Sequence, residues 1–279
     1  LIKEKKLKKN QIVETKNILN FFNNLNGKNI LIDRKTCSLY FEKILKKKFK
    51  IIKKEDPIYF LKSIKNKVEI ENMINTHLID GVALTKFIFW LKTKKKLDIT
   101  EVEAQNKLEY FRKQNPNYLF PSFNTIAGTG KNGAIVHYRA TKNNTKLLKK
   151  NEIFLCDSGG QYKFGTTDVT RTICFKNQSK EIKDIFTNVL KGHIAVVKTD
   201  LNKKKTGKLI DIEARRFLKK NNQDYNHGTG HGVGFFLNVH EGPQAISKQN
   251  SVKIQNGMIL SNEPGYYKKG KFGIRIENL

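Results

Sequence analysis

An α+β fold is predicted for most of this 279-residue chain, preceded by the remains of a small α/β unit. Three observations predict it. Apolar residues recur every three or four positions from about Ile58 to Leu91. After Pro116 the chain turns rich in glycine and in short β-branched runs. Helical stretches then return between the β-segments, an order that implies helices packed on one face of a sheet.

Taken in order, Asn29-Ile-Leu-Ile-Asp33 is a short apolar strand, Leu39–Leu45 has helical spacing, and Phe49–Ile52 reads as a second strand. Asp56-Pro57 signals a turn or a helix start. The long helical run carries Ile70, Met73, Ile74, Leu78, Val82, Leu84, Phe87, Phe89 and Leu91. A second helix starts at Thr100, because Glu103 three residues on completes a capping box. Asp98 and Glu101 suit the positive end of that helix. Beyond Pro116, strands are expected at Ala134–Tyr138, Ile153–Cys156, Val169–Phe175, Val233–Val239 and Met258–Leu260. Helices are expected at Ile182–Val197 and Thr206–Leu218. The domain division is set at 1–62 and 63–279. Leu1 is not a natural start, and Ile276-Glu277-Asn278-Leu279 stops inside a predicted strand. The chain is therefore expected to be a fragment, truncated at both ends.

Composition excludes several classes. A hydrophobic content of 38% and an aromatic content of 10% argue for a globular protein. No run of about 18 apolar residues exists, so no transmembrane helix is predicted. The lysine-rich stretch Leu1–Asn10 lacks the apolar segment of a secretory signal. Cys37, Cys156 and Cys174 stand apart without CxxC spacing, which suits a reducing compartment. The net charge of +29 suggests nucleic acid at first sight. However, only seven of the 54 basic residues are Arg, and the lysines are scattered along the whole chain. Specific phosphate and base recognition leans on Arg forks. Weak, salt-sensitive polyanion binding is expected, and no specific nucleic-acid partner.

Five potential metal ligands lie in the second half: Asp157, Asp168, His231, Glu263 and Glu277. Each sits within its own Gly-, Thr- or Pro-rich turn. Four carboxylates and one imidazole form a hard set that suits a pair of divalent ions such as Mn²⁺. The spacing of the two aspartates fits two strands joined by a Gly-rich hairpin, although turn aspartates are common in such sequences. His227 and His231 stand at i and i+4, but Gly228 and Gly230 disfavour a helix there. Arg275 and Glu277 alternate with Ile274 and Ile276, which places them on one strand face. Arg275 is then either an orienting partner of a ligand carboxylate or an exposed edge-strand ion pair. Gly128-Thr-Gly130-Lys-Asn-Gly133 matches GxGxxG, yet a strand is expected after it where a dinucleotide site needs a helix.

Several motifs occur together and in order: Gly128-Thr-Gly130 with His137-Tyr138, Asp157-Ser-Gly-Gly-Gln-Tyr162, Gly165-Thr-Thr-Asp168, His227-Gly-Thr-Gly-His231, Asn238-Val-His240-Glu-Gly-Pro243, and Asn262-Glu263-Pro-Gly265. In combination the chain resembles the aminopeptidase P and prolidase family, in particular its cytoplasmic, eukaryotic-type Xaa-Pro aminopeptidases. The likeness runs from about residue 63 to Leu279, and residues 1–62 match the tail of the family's second N-terminal domain. The resemblance implies a pita-bread catalytic domain. It makes Asp157, Asp168, His231, Glu263 and Glu277 ligands of two divalent metals, with Asp168 and Glu277 bridging. It implies that a hydroxide shared by the two ions cleaves the bond between a first residue and a penultimate proline. His137, His240 and Glu263 are the implied catalytic groups. His137, His227, His240 and Arg275 are implied to contact or order the substrate, with His227 walling the proline pocket. A longer, homodimeric, cytoplasmic parent is expected, acting on peptides with penultimate proline and not on membranes. A dipeptide-cleaving prolidase is the rival enzyme. A noncatalytic basic interaction module on the same fold is the rival of another class.

Overall fold

The computed structural model describes residues 6–279; the first five residues of the lysine-rich opening lie outside them. Chain packing divides into two units, one ending at Tyr59 and one running Phe60–Leu279. The first carries helix α1 (Ile18–Asn24), strand β1 (Asn29–Ile32), helix α2 (Leu39–Leu45) and strand β2 (Lys50–Lys53). β1 and β2 pair in parallel. Ile32, Leu45 and Phe49 bury together beneath them, a small core for a small unit. A short helix α3 (Pro57–Leu61) follows the Asp56-Pro57 signal.

The second unit opens with α4 (Lys67–Thr93) and α5 (Glu101–Lys113). Asn66 and Glu69 cap the first helix reciprocally, and Thr100 and Glu103 cap the second, as their spacing predicts. Small sheets follow. Strand β3 (Tyr118–Pro121) pairs with β6 (Gly160–Tyr162), which pairs with β7 (Gly165–Thr166). Strands β4 (Ile126–Thr129), β5 (Ile153–Ser158) and β8 (Val169–Cys174) form an antiparallel sheet in that order. Helices α6 (Lys180–Val197) and α7 (Gly207–Lys219) come next, then hairpin-like pairs of β9 (Gly230–Gly232) with β10 (Glu241–Ile246) and of β11 (Gly265–Lys268) with β12 (Phe272–Arg275).

The period-two alternation of β5 organises this unit. Phe154 and Cys156 point into a core with Leu84, Phe87, Leu91, Ala104 and Leu108 of α4 and α5. Ile153, on the opposite face, joins Ile185 and Val189 of α6, Leu218 of α7, and Phe272 and Ile274 of β12. The expectation of helices on one face is therefore overturned: β5 is buried on both sides because both of its faces are apolar. Leu108 is fully buried. Leu108→Ala is expected to cost about 2–5 kcal/mol, read as a lower urea midpoint.

Three predicted strands are not strands. Residues 130–134 form a 3₁₀ turn and 135–138 are irregular. Residues 233–239 are irregular, and Met258–Leu260 makes only isolated bridges. In each case the apolar run is anchored by side-chain hydrogen bonds or single bridges instead of a ladder, which β-propensity does not distinguish. The GxGxxG match begins at the end of β4 and runs into that 3₁₀ turn, with Gly130 at φ +52°. No helix among the described residues is long and apolar enough to cross a membrane.

Candidate metal centre

Pairing of β5 with β8 sets Asp157 opposite Thr170, two residues beyond Asp168. The intervening chain does not form a plain hairpin; it makes the β6–β7 excursion into the neighbouring sheet. Gly159 makes that departure possible, since a Cβ there would lie 1.9 Å from the Thr167 carbonyl oxygen. Gly230 has the same function on the other side. Its Cβ would lie 1.8 Å from the Ser261 carbonyl oxygen, so β9 and the segment carrying Glu263 meet backbone to backbone. The His231 and Ser261 backbones are further tied by a Ser261 N–H bond to the His231 carbonyl at 2.8 Å.

The donor atoms converge. One donor each from Asp168, His231 and Glu277 lie within 4.8 Å of one another. His231 Nε2 is 3.4 Å from both Asp168 Oδ2 and Glu263 Oε1. His231 Nδ1 sits 2.9 Å from the Gly232 carbonyl, which only accepts, so Nδ1 carries a proton and Nε2 is the ring atom turned to the carboxylates. Ser261 Oγ donates to Glu263 Oε1 at 3.0 Å, and Thr170 Oγ donates to Glu277 Oε2 at 2.5 Å. Asp157 lies 7% exposed, with Oδ2 accepting from Arg275 Nη2 at 2.6 Å and Oδ1 buried without a hydrogen-bond partner among the described residues. Burial raises the Asp168 and Glu277 carboxyls well above their ordinary range, and the surrounding carboxylates raise them further. Glu263 is raised as well, chiefly by burial. An orphaned carboxylate oxygen beside crowded acids is the arrangement a divalent cation relieves. Asp157, Asp168, His231, Glu263 and Glu277 could hold one or a pair.

Arg275 is 2% exposed. That excludes the edge-strand reading and leaves the orienting one. Its Nη1 donates to the Tyr267 hydroxyl at 2.6 Å and its Nε to Thr170 Oγ at 3.2 Å. The cluster floors a cleft of about 510 Å³ whose walls include Phe123, Val136, His137, His227 and His240. The His231 and His240 rings meet edge to face, with centroids 4.1 Å apart. Burial, then the neighbouring His231, holds His240 below the usual imidazole range. His227 places Nδ1 2.7 Å from the Gly228 carbonyl and Nε2 2.8 Å from the Tyr267 hydroxyl. Both ring nitrogens are thus engaged, and the ring itself is left to line the cleft. Burial lowers the His227 imidazole to about 4. Its ring resonances are expected to stay those of a neutral imidazole between pH 5 and 8 in an NMR titration; a midpoint near 6.5 would contradict the buried wall.

All nine residues singled out in the sequence therefore reach one cleft. Other contributors were not foreseen. Tyr267 ties His227 to Arg275. Asp80 on α4 and Arg112 on α5 form a buried bidentate pair at 2.6 and 2.9 Å, and Arg112 reaches Ser158 Oγ at 3.1 Å, beside Asp157. Lys65 and Glu241 form a buried ion pair next to His240. Only the odd presence of charge within apolar helical runs could have flagged Asp80.

Residues 71–279 match the model of metallopeptidase family M24. The chain belongs to that family. A probable Xaa-Pro aminopeptidase P of Laccaria bicolor is 48% identical over 216 residues, covering 76% of this chain and 34% of the relative. The chain thus spans about a third of the length of the curated relatives it matches. Among solved structures, the X-prolyl aminopeptidase of Caenorhabditis elegans, described as a cytosolic enzyme with a di-nuclear active site, superposes with a TM-score of 0.75 at 38% identity, over 83% of this chain and 38% of the other. The prolidase of Pyrococcus furiosus superposes at 0.81 with 28% identity, over 96% of this chain and 76% of that one. The fold of this M24 chain is accordingly the pita-bread fold.

Proposed function

We propose that the chain is the catalytic part of a metal-dependent Xaa-Pro aminopeptidase that removes the first residue from peptides with penultimate proline. The convergence of Asp168, His231 and Glu277 within 4.8 Å carries the reading. Asp157, Asp168, His231, Glu263 and Glu277 would hold two divalent cations, Mn²⁺ first among them. The hard oxygen-rich donor set supports that choice. When bound, such a pair lowers the pKa of water toward neutrality and polarises a carbonyl. Arg275 orients Asp157. His240, held neutral, donates from its ring to the oxygen on which charge develops. Glu263 carries a proton toward the proline nitrogen, a tertiary amide that must be protonated to leave. His137 holds the carbonyl beyond proline, and His227 walls the ring of the proline. A cytoplasmic setting, a homodimeric parent and the lack of a specific nucleic-acid partner belong to the same reading.

The deciding experiment strips the chain of metal, titrates Mn²⁺, and follows release of the first residue from an Xaa-Pro peptide beside an Xaa-Ala control. Proline-dependent turnover that saturates at about two equivalents is the expected result. The superposition on a prolidase favours one second reading, a dipeptidase. Cleavage of Xaa-Pro dipeptides in preference to longer peptides would establish it. Failure to bind metal would overturn both and leave a noncatalytic interaction module.

A further inference from the structure

The segment that carries His137 has no strand to hold it. Residues 135–138 are irregular, and His137 itself is exposed in the cleft. One buried carboxylate ties the segment down at several points. Glu101, the first residue of α5, is 0% exposed. Its Oε1 accepts from the Thr129 backbone N–H at 2.7 Å and from Asn132 Nδ2 at 3.0 Å. Its Oε2 accepts from the Tyr138 hydroxyl at 2.9 Å and from the Lys146 backbone N–H at 2.9 Å. Asn132 also donates to the Tyr138 hydroxyl oxygen at 2.9 Å, closing the ring. The Glu101 backbone N–H donates in turn to the Lys146 carbonyl at 2.9 Å.

These contacts clamp the segment at both ends and in the middle, at 129–132, at 138 and at 146. His137 is the residue before the central anchor. Tyr138 is 5% exposed and points inward, so its neighbour is turned outward into the cleft. An ionised carboxylate is the side chain that fits, because every group facing it donates, and its position at the start of α5 favours negative charge. We propose that Glu101 is a positioning residue for substrate binding: it acts through Tyr138 to fix where His137 meets the peptide. This deepens the aminopeptidase reading and rests on it.

Glu101→Gln keeps the shape but turns one acceptor into a donor facing other donors. Steady-state kinetics on an Xaa-Pro peptide would compare wild type, Glu101→Gln, His137→Ala and the double variant. Glu101→Gln is expected to raise KM about tenfold with kcat within about twofold, and to add less than about twofold to the His137→Ala loss. An equal loss in both backgrounds, or an unchanged KM in a folded variant, would overturn the proposal. Tyr138→Phe removes the hydroxyl, with its bonds to Glu101, Asn132 and the Asn144 carbonyl, and keeps the buried ring. It should move KM in the same direction by about threefold, and an unchanged KM would count against the proposal where Glu101→Gln does not fold. A second readout does not depend on activity. His137 ring resonances of the metal-free chain should shift in both variants, while those of His193 on α6 stay in place. Unmoved His137 resonances would refute the clamp. A wild-type chain that cleaves no Xaa-Pro peptide would sink the aminopeptidase reading and leave the ring resonances to decide the clamp by themselves.

Discussion

Glu277→Gln is expected to cut metal-dependent turnover by about 10²–10³-fold or more, and at the same time to stabilise the metal-free chain above neutral pH. Both effects follow from one crowded carboxylate. Glu277 is 1% exposed, and burial followed by repulsion from Asp168 and Glu263 raises its carboxyl well above the ordinary 4.5. Asp168 is raised above its ordinary 3.8 for the same reasons. A group whose pKa is higher folded than unfolded binds more protons in the folded state. Its stabilising contribution is therefore complete below the unfolded pKa and is lost as pH rises through the folded one. The metal-free wild type should lose thermal stability as pH rises from about 4 through the raised folded pKa values. Divalent metal should restore it by replacing the missing protons. Gln mimics the protonated acid at every pH, so the variant should show a flatter profile and a smaller gain from metal. Melting temperatures with chelator and with Mn²⁺ across this range test the claim; an unchanged slope in the variant would refute it.

Arg275→Met is expected to destabilise the fold by about 3–5 kcal/mol and to weaken metal binding about 10–100-fold. An exposed ion pair would contribute at most about 1 kcal/mol, so the measurement separates the two roles that the strand pattern left open. Arg275 is fully buried, donating to Asp157, Tyr267 and Thr170, and its removal takes from Asp157 the guanidinium that donates to it. Met fills much of the same volume, which keeps the cavity contribution small. Urea denaturation gives the first quantity and calorimetric metal titration the second. A loss below about 1 kcal/mol would mean that Arg275 does not order the centre.

The site was more legible in the sequence than the scaffold around it. Asp157, Asp168, His231 and Glu263 stood out because each lies within three residues of a glycine, and Glu277 because it alternates with Ile274 and Ile276 on one strand face. The structure accounts for two of those glycines, Gly159 and Gly230, by direct backbone approach. The helices were legible from period and caps. The irregular segments were not. Ala134–Tyr138 and Val233–Val239 have strand-like composition, but their anchors are distant: Glu101 accepts from the Tyr138 hydroxyl, and Thr166 Oγ donates to the Leu237 carbonyl. Partners 32 to 71 residues away leave no local mark, so neither Glu101 nor Asp80 could be told from an ordinary helical acid.

The proposed ligand set is spread over a long stretch of chain, from Asp157 on β5 to Glu277 just beyond β12. Synthesis on a ribosome runs from the first of these to the last. Asp157 emerges without the guanidinium that will hold it, and His231 emerges before Glu263 exists. A half-made chain thus offers loose carboxylates and imidazoles, which bind cations weakly and with little choice among them. The centre can discriminate only after β12 has docked against β5. Selection among cations by the proposed site is accordingly a property of the packed fold and not of the ligands one by one.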